Sequence, residues 1–103
     1  MSLNIEKNLN ETNNVIVLAG RLDTVTAPLL EEELDSLVSK NENKELVLDM
    51  EKLEYISSAG LRVILKAQKA TAGKGGMKLI HVPETVMEVF DITGFVDFLT
   101  IEK

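Results

Sequence analysis

Three times along this chain a short apolar run gives way to a stretch in which leucine, isoleucine or valine recurs at helical spacing. That alternation restricts the fold more than any other feature. Val15-Ile16-Val17-Leu18-Ala19 precedes Leu30, Leu34, Leu37 and Val38. Glu45-Leu46-Val47-Leu48-Asp49-Met50 precedes Leu61, Ile64 and Leu65, and Met77 to Val82 precedes Val86, Val89 and Phe90. Short apolar runs suit strands, and the 3.6-residue pattern suits helices with one buried face. Strands joined through helices must lie parallel, with right-handed crossovers.

Upstream, Leu3, Ile5 and Leu9 fall mostly at even spacing, and the polar stretch from Asn8 to Asn14 predicts a hairpin into the second strand. That strand, Val15 to Ala19, is continuously apolar, which predicts cover on both faces, and Gly20 is expected to end it. Phe98 to Ile101 supplies a last short strand. The order β-β-α-β-α-β-α-β describes an α/β domain with a mixed sheet of about five strands and helices mainly on one face. No repeat or linker divides the chain, so residues 1–103 are read as one domain.

The punctuation supports these elements. The first helix is expected from about Thr26, with Pro28 in its first turn. Glu31, Glu32, Glu33 and Asp35 are expected to favour its positive end, and Asn41-Glu42-Asn43 to stop it. The second helix is expected to bury Leu61, Ile64 and Leu65 and to run to about Ala72, where Gly73-Lys74-Gly75-Gly76 breaks it. The third begins at Pro83 and ends at Gly94.

Composition excludes several classes of function. Cysteine is absent, so there is neither a disulfide nor a thiolate metal site, and a reducing, cytoplasmic setting is expected. The N-terminus lacks an apolar signal region, and no run is long enough to cross a bilayer, so no membrane insertion is expected. A net charge of −6 and 4% aromatic residues argue against direct nucleic-acid binding. His81 is the lone histidine and reads as a strand-end residue. Gly73-Lys74-Gly75-Gly76 lacks phosphate-loop spacing, and no metal or cofactor constellation is visible. The chain reads as a binding module, not an enzyme.

Ser57-Ser58 stands between the third strand and the second helix, before Gly60. Two readings attach to it. The serine hydroxyls can cap the free N–H groups of the first turn, although Gly60 and Leu61 exclude a capping box. Those same N–H groups and the helix dipole also favour a phosphoryl group there. Arg62 lies one turn on; it is either a partner for such a charge or part of a solvated stripe with Lys66 and Lys69.

The run Asp49-Met50-Glu51-Lys52-Leu53-Glu54-Tyr55-Ile56-Ser57-Ser58-Ala59-Gly60-Leu61-Arg62 resembles the signature of bacterial STAS-domain anti-sigma factor antagonists. Gly20-Arg21-Leu22-Asp23 and Phe90-Asp91-Ile92-Thr93-Gly94-Phe95 are similar to further family patterns. The resemblance implies partner switching. The unmodified domain binds an anti-sigma factor serine kinase and frees a sigma factor for transcription; phosphorylation of Ser58 ends the complex, and a phosphatase resets it. The kinase supplies ATP and Mg²⁺, and the chain itself carries no cofactor. The implied partner surface comprises Asp23, Ser57, Ser58, Ala59, Gly60 and Arg62. Asp23 also has a plain reading as a turn or cap residue. Ser57 departs from the aspartate common at that position, and the C-terminal helix of many members is not evident. Two alternatives keep the fold without the switch: an accessory subunit of a membrane transporter, or a binder of a small anionic ligand.

Overall fold

The computed structural model describes residues 3–40 and 44–102. A four-stranded sheet runs in the order β1 (Leu3–Leu9), β2 (Asn13–Leu22), β3 (Glu45–Ile56) and β4 (Met77–Ile80), with β1 antiparallel and the others parallel. Helices α1 (Ala27–Ser39), α2 (Ser58–Thr71) and α3 (Glu84–Thr93) follow β2, β3 and β4, and a 3₁₀ turn spans Phe95–Asp97. This is the predicted mixed α/β order. The expected stop at 41–43 lies outside the described residues.

Three strand expectations change. The strand expected over 98–101 shrinks to a single parallel bridge between Ile101 and Leu79, because the 3₁₀ turn consumes the chain just before it. The sheet therefore has four strands where about five were expected. β3 does not stop at Met50 but continues to Ile56, beyond the end of β4. Gly20 does not end β2: at φ 106 it occupies a register shift against β3, a backbone shape that favours glycine, and pairing resumes through Leu22.

Nor is β2 covered on both faces. Ile16, Leu18 and Leu22 are fully buried, whereas Val15, Val17 and Ala19 are half-buried. One core joins the buried side of β2 to Leu46, Leu48 and Met50 of β3 and to residues of all three helices, including Leu30, Leu34, Leu61, Ile64, Val86 and Phe90. Val47 is buried yet outside that cluster, and its register partners Val15 and Lys78 share the opposite face. The helices thus gather on one side of the sheet, where each fully buried large apolar side chain contributes about 1.5–3 kcal/mol.

The helix interiors also refine the sequence reading. No acidic residue lies in the first turn of α1. Glu31 and Glu33 begin a turn later and act laterally, pairing with Lys66 of α2 at 2.9 Å and Lys7 of β1 at 2.8 Å. In α2, Val63 and Ala67 are buried beside Leu61 and Ile64, while Leu65 is only half-buried. Its position belongs to the arc that carries Arg62 and Lys69. α3 begins after Pro83 and ends at Gly94, whose φ of 78 gives the left-handed cap. Among the described residues no helix is long and apolar enough to cross a membrane.

Candidate functional site

The parallel strands deliver the N-termini of α1 and α2 to one edge of the sheet. Ser57 is the joint. Its extended backbone (φ −98, ψ 173) donates its N–H to the carbonyl of Leu22, the last residue of β2, at 2.9 Å. Its hydroxyl accepts the Gly60 N–H at 3.3 Å, and its carbonyl accepts the Leu61 N–H at 2.9 Å. Ser57 is therefore the N-cap, half-buried and occupied by the fold.

Ser58, the first helical residue, is exposed, and no hydrogen bond engages its hydroxyl among the described residues. The N–H groups of Ser58 and Ala59 likewise find no acceptor there. Two adjacent serines thus separate into one that caps and one that is presented. Gly60 is buried because nothing larger fits: a Cβ would stand 2.6 Å from Leu22 Cγ and 3.1 Å from Ile56 Cγ1.

Asp23 lies at the start of the neighbouring β2–α1 turn. Its Oδ1 accepts the N–H groups of Val25 and Thr26, each at 3.0 Å. The Thr26 hydroxyl accepts the Asp23 N–H at 2.8 Å and donates to the Arg21 carbonyl at 2.8 Å. The Thr26 N–H, opposed by some desolvation and reinforced by the Thr26 hydroxyl, the Val25 N–H and the Arg21 guanidinium, holds the Asp23 carboxyl below its ordinary range. Arg21 also lies over the Tyr55 ring, 4.2 Å from its centroid. The plain turn role of Asp23 is therefore realised in full.

Between the two helix starts runs a groove of about 310 Å³, lined by Thr24, Ala27 and Pro28 on one side and Ala59, Arg62 and Val63 on the other. Lys66 closes its end by pairing with Glu31 and Asp35, and the hydrogen bond it donates to Glu31 is the main cause of its raised pKa. The supposed basic stripe consequently divides. Lys66 ties α2 to α1, while Arg62 is exposed and makes no ion pair among the described residues. Asp23, Ser57, Ser58, Ala59, Gly60 and Arg62 all belong to this edge, though Gly60 serves it from beneath the surface.

One grouping escaped the sequence reading. β3 and β4 bring Asp49, Glu51 and His81 together, with ligand atoms within 4.8 Å of one another. His81 follows β4 in a left-handed conformation (φ 55), and its Nδ1 lies 3.1 Å from Asp49 Oδ1, a hydrogen bond that raises the imidazole pKa. The signal in sequence was weak, because only strand register aligns Asp49 with Ile80, the residue before His81. A hollow of about 420 Å³ beside His81, floored by Ile80, Val82, Met87 and Ile101, shares no residue with the Ser58 edge.

Comparison with known proteins converges on one family. The STAS domain family model matches residues 4–103. The chain is 31% identical to an anti-sigma-B factor antagonist of Bacillus subtilis (strain 168), over 98% of this chain and 92% of that protein. It is 39% identical to the putative anti-sigma factor antagonist BtrV of Bordetella bronchiseptica, over 84% of this chain and 75% of that protein. Among solved structures, an anti-sigma factor antagonist from Mycobacterium paratuberculosis superposes with a TM-score of 0.87 at 21% identity, covering 97% of this chain and 85% of that one.

Proposed function

Because the chain belongs to the STAS-domain family of anti-sigma factor antagonists, we propose that it binds an anti-sigma factor at the Ser58 edge and is released when that partner, a serine kinase, phosphorylates Ser58. The observation that carries this reading is the division of labour between the serines: Ser57 is consumed by capping, and Ser58 is exposed above two N–H groups with no acceptor among the described residues.

The chemistry asks little of this chain. The Ser58 Oγ attacks the γ-phosphorus of ATP held with Mg²⁺ by the kinase; the Oγ–P bond forms, ADP leaves, and the hydroxyl proton passes to the kinase. The new group carries about −2 charge, which the open N–H groups and the dipole of α2 tolerate, so the fold persists. The complex does not. A phosphate buried against a partner that evolved to meet a neutral hydroxyl is an unpaired charge, and such a charge costs about 3–5 kcal/mol. Hydrolysis of the ester by a phosphatase restores binding. The domain acts in the cytoplasm as the passive member of the switch.

The test is incubation with the cognate kinase and ATP, followed by mass spectrometry of the wild type, Ser58→Ala and Ser57→Ala. One phosphate is expected on the wild type and Ser57→Ala, and none on Ser58→Ala. Modification that persists in Ser58→Ala overturns the assignment, and no modification by any kinase of the host favours the transporter or anion-binding alternatives. Ser58→Asp is expected to weaken the complex by more than about tenfold.

A further inference from the structure

The β2–α1 turn and the first turn of α1 each display an apolar side chain that the fold leaves unused. Val25 is 81% exposed and Leu29 is 55% exposed. Val25 directly precedes Thr26, the N-cap of α1, where an apolar side chain commonly folds onto the fourth helical residue. That residue is Leu30, fully buried in the core, yet Val25 stands in water instead of covering it. The cause is not looseness. The Val25 N–H is bound to Asp23 Oδ1 at 3.0 Å, and the Asp23–Thr26 hydrogen bonds fix the turn on both sides of it.

Leu29 lies one helical turn after Val25 and extends the same exposed row. Next to that row the groove begins, with Pro28 on the α1 side, Ala59 beside Ser58 on the α2 side, and Arg62 without an ion pair among the described residues. An apolar pair, a groove and a lone cation therefore follow one another along the edge that presents Ser58. Lys40, Lys52 and Lys69 also make no ion pair among the described residues, but of the cations lining the groove Lys66 is paired and Arg62 is not.

We propose that Val25 and Leu29 are the anchor side chains with which this domain docks on its anti-sigma factor kinase, the partner presenting an apolar pocket to them and a carboxylate to Arg62. The assignment rests on the function proposed above and extends it from the modified residue to the residues that bind. Anchors held by a fixed turn and a helix start lose little conformational freedom on docking, which lowers the cost of binding. It also separates affinity from chemistry, since neither anchor belongs to the helix that carries Ser58.

Binding to the cognate kinase, measured calorimetrically for the wild type, Val25→Ala, Leu29→Ala, the double variant and Arg62→Glu, tests this. Ile92→Ala is the control, because Ile92 is 84% exposed on α3, away from the groove. Each anchor variant is expected to lose about tenfold in affinity and the double variant about 100-fold. In phosphorylation assays the anchor variants raise KM and leave kcat within about twofold. Arg62→Glu slows association about tenfold and removes part of its salt dependence. Thermal melts of the anchor variants stay near wild type, which separates lost contacts from lost fold. A wild type that binds alongside a double variant of unchanged affinity overturns the anchors and leaves the proposed function standing. A wild type that binds no kinase overturns both, and an equal loss in Ile92→Ala overturns the locality of the surface.

Discussion

The two helices that start at the same edge of the sheet begin in opposite ways. Every N–H that the first turn of α1 possesses has an acceptor: Ala27 reaches the Asp23 carbonyl at 2.8 Å, Leu29 and Leu30 reach the Thr26 carbonyl at 3.0 and 3.3 Å, and Pro28 has none to offer. At α2, the N–H groups of Ser58 and Ala59 have no acceptor among the described residues, and Gly60 reaches Ser57 Oγ at a long 3.3 Å. Helix α3, unlike α2, opens without a side-chain cap, but it places Glu84 in its own first turn, where α2 has no acidic residue. The difference teaches how the edge is divided: α1 is closed at its start, and α2 leaves N–H groups open beside Ser58, where the proposed phosphoryl group would sit.

The largest expected effect comes from filling the space beneath α2. Gly60→Ala adds a Cβ 2.6 Å from Cγ of Leu22, a fully buried side chain with little room to retreat. Overpacking of this kind costs about 1–3 kcal/mol, while alanine returns up to about 1 kcal/mol of helix propensity. A net loss of about 1–2 kcal/mol is expected, read as a fall in Tm of about 4–8 °C per kcal/mol. In a Leu22→Ala background the same change is expected to cost nothing. A full cost there would mean that the strain lies somewhere other than this contact, and the close seat of α2 on β2 would not be what holds Ser58 at the edge.

Next come the bonds that close α1. Thr26→Val keeps the shape but removes the hydroxyl that joins the Asp23 N–H to the Arg21 carbonyl, an expected loss of about 1–2 kcal/mol in denaturant unfolding. Asp23→Asn tests the same turn through pH. The folded carboxyl is held below its ordinary value of 3.8, so its contribution is present above that value and disappears as pH falls through the lower folded one. The decline in wild-type stability below about pH 4 is therefore expected to flatten in Asp23→Asn. Parallel acid-melt curves for the two proteins would show that Asp23 does not close the turn electrostatically.

Much of this edge was legible in sequence, and what was missed has identifiable causes. Helix spacing located all three helices, and Gly94 and Pro83 marked the ends of α3, because those signals act within one turn of the chain. Strand lengths were harder. The apolar run Val15 to Ala19 suggested cover on both faces, but the same residues serve a strand with one open face whose neighbours Val47 and Lys78 shield it. The continuation of β3 through Glu51, Lys52 and Glu54 has no hydrophobic pattern; it is imposed by pairing with Gly20, Arg21 and Leu22 across two register shifts. The motif singles out Ser58, and the structure presents its side chain to solvent. A serine cap and a turn at Asp23 rest on bonds spanning two or three residues and were readable in sequence; that Ser57 takes the cap while Ser58 is presented depends on the Ser57 bond to Leu22 at the end of β2, which no local pattern encodes.

The smallest expected effect is the most searching for the contrast between the helices. Ser57→Ala deletes the single side-chain cap of α2, but the bond is long at 3.3 Å and the residue is half-buried, so water can take over the Gly60 N–H. The loss should fall at the low end of N-cap substitutions, about 0.5–1 kcal/mol, and below that of Thr26→Val. The Ser57 backbone bonds to Leu22 and from Leu61 survive the change, so Ser58 keeps its place and its modification by the kinase should continue at close to the wild-type rate. Denaturant unfolding and a phosphorylation time course on the same protein separate the two roles. A loss above about 2 kcal/mol would mean that α2 depends on its cap as strongly as α1 depends on its turn. A stable variant that is no longer phosphorylated would instead make the Ser57 hydroxyl part of what the kinase recognises.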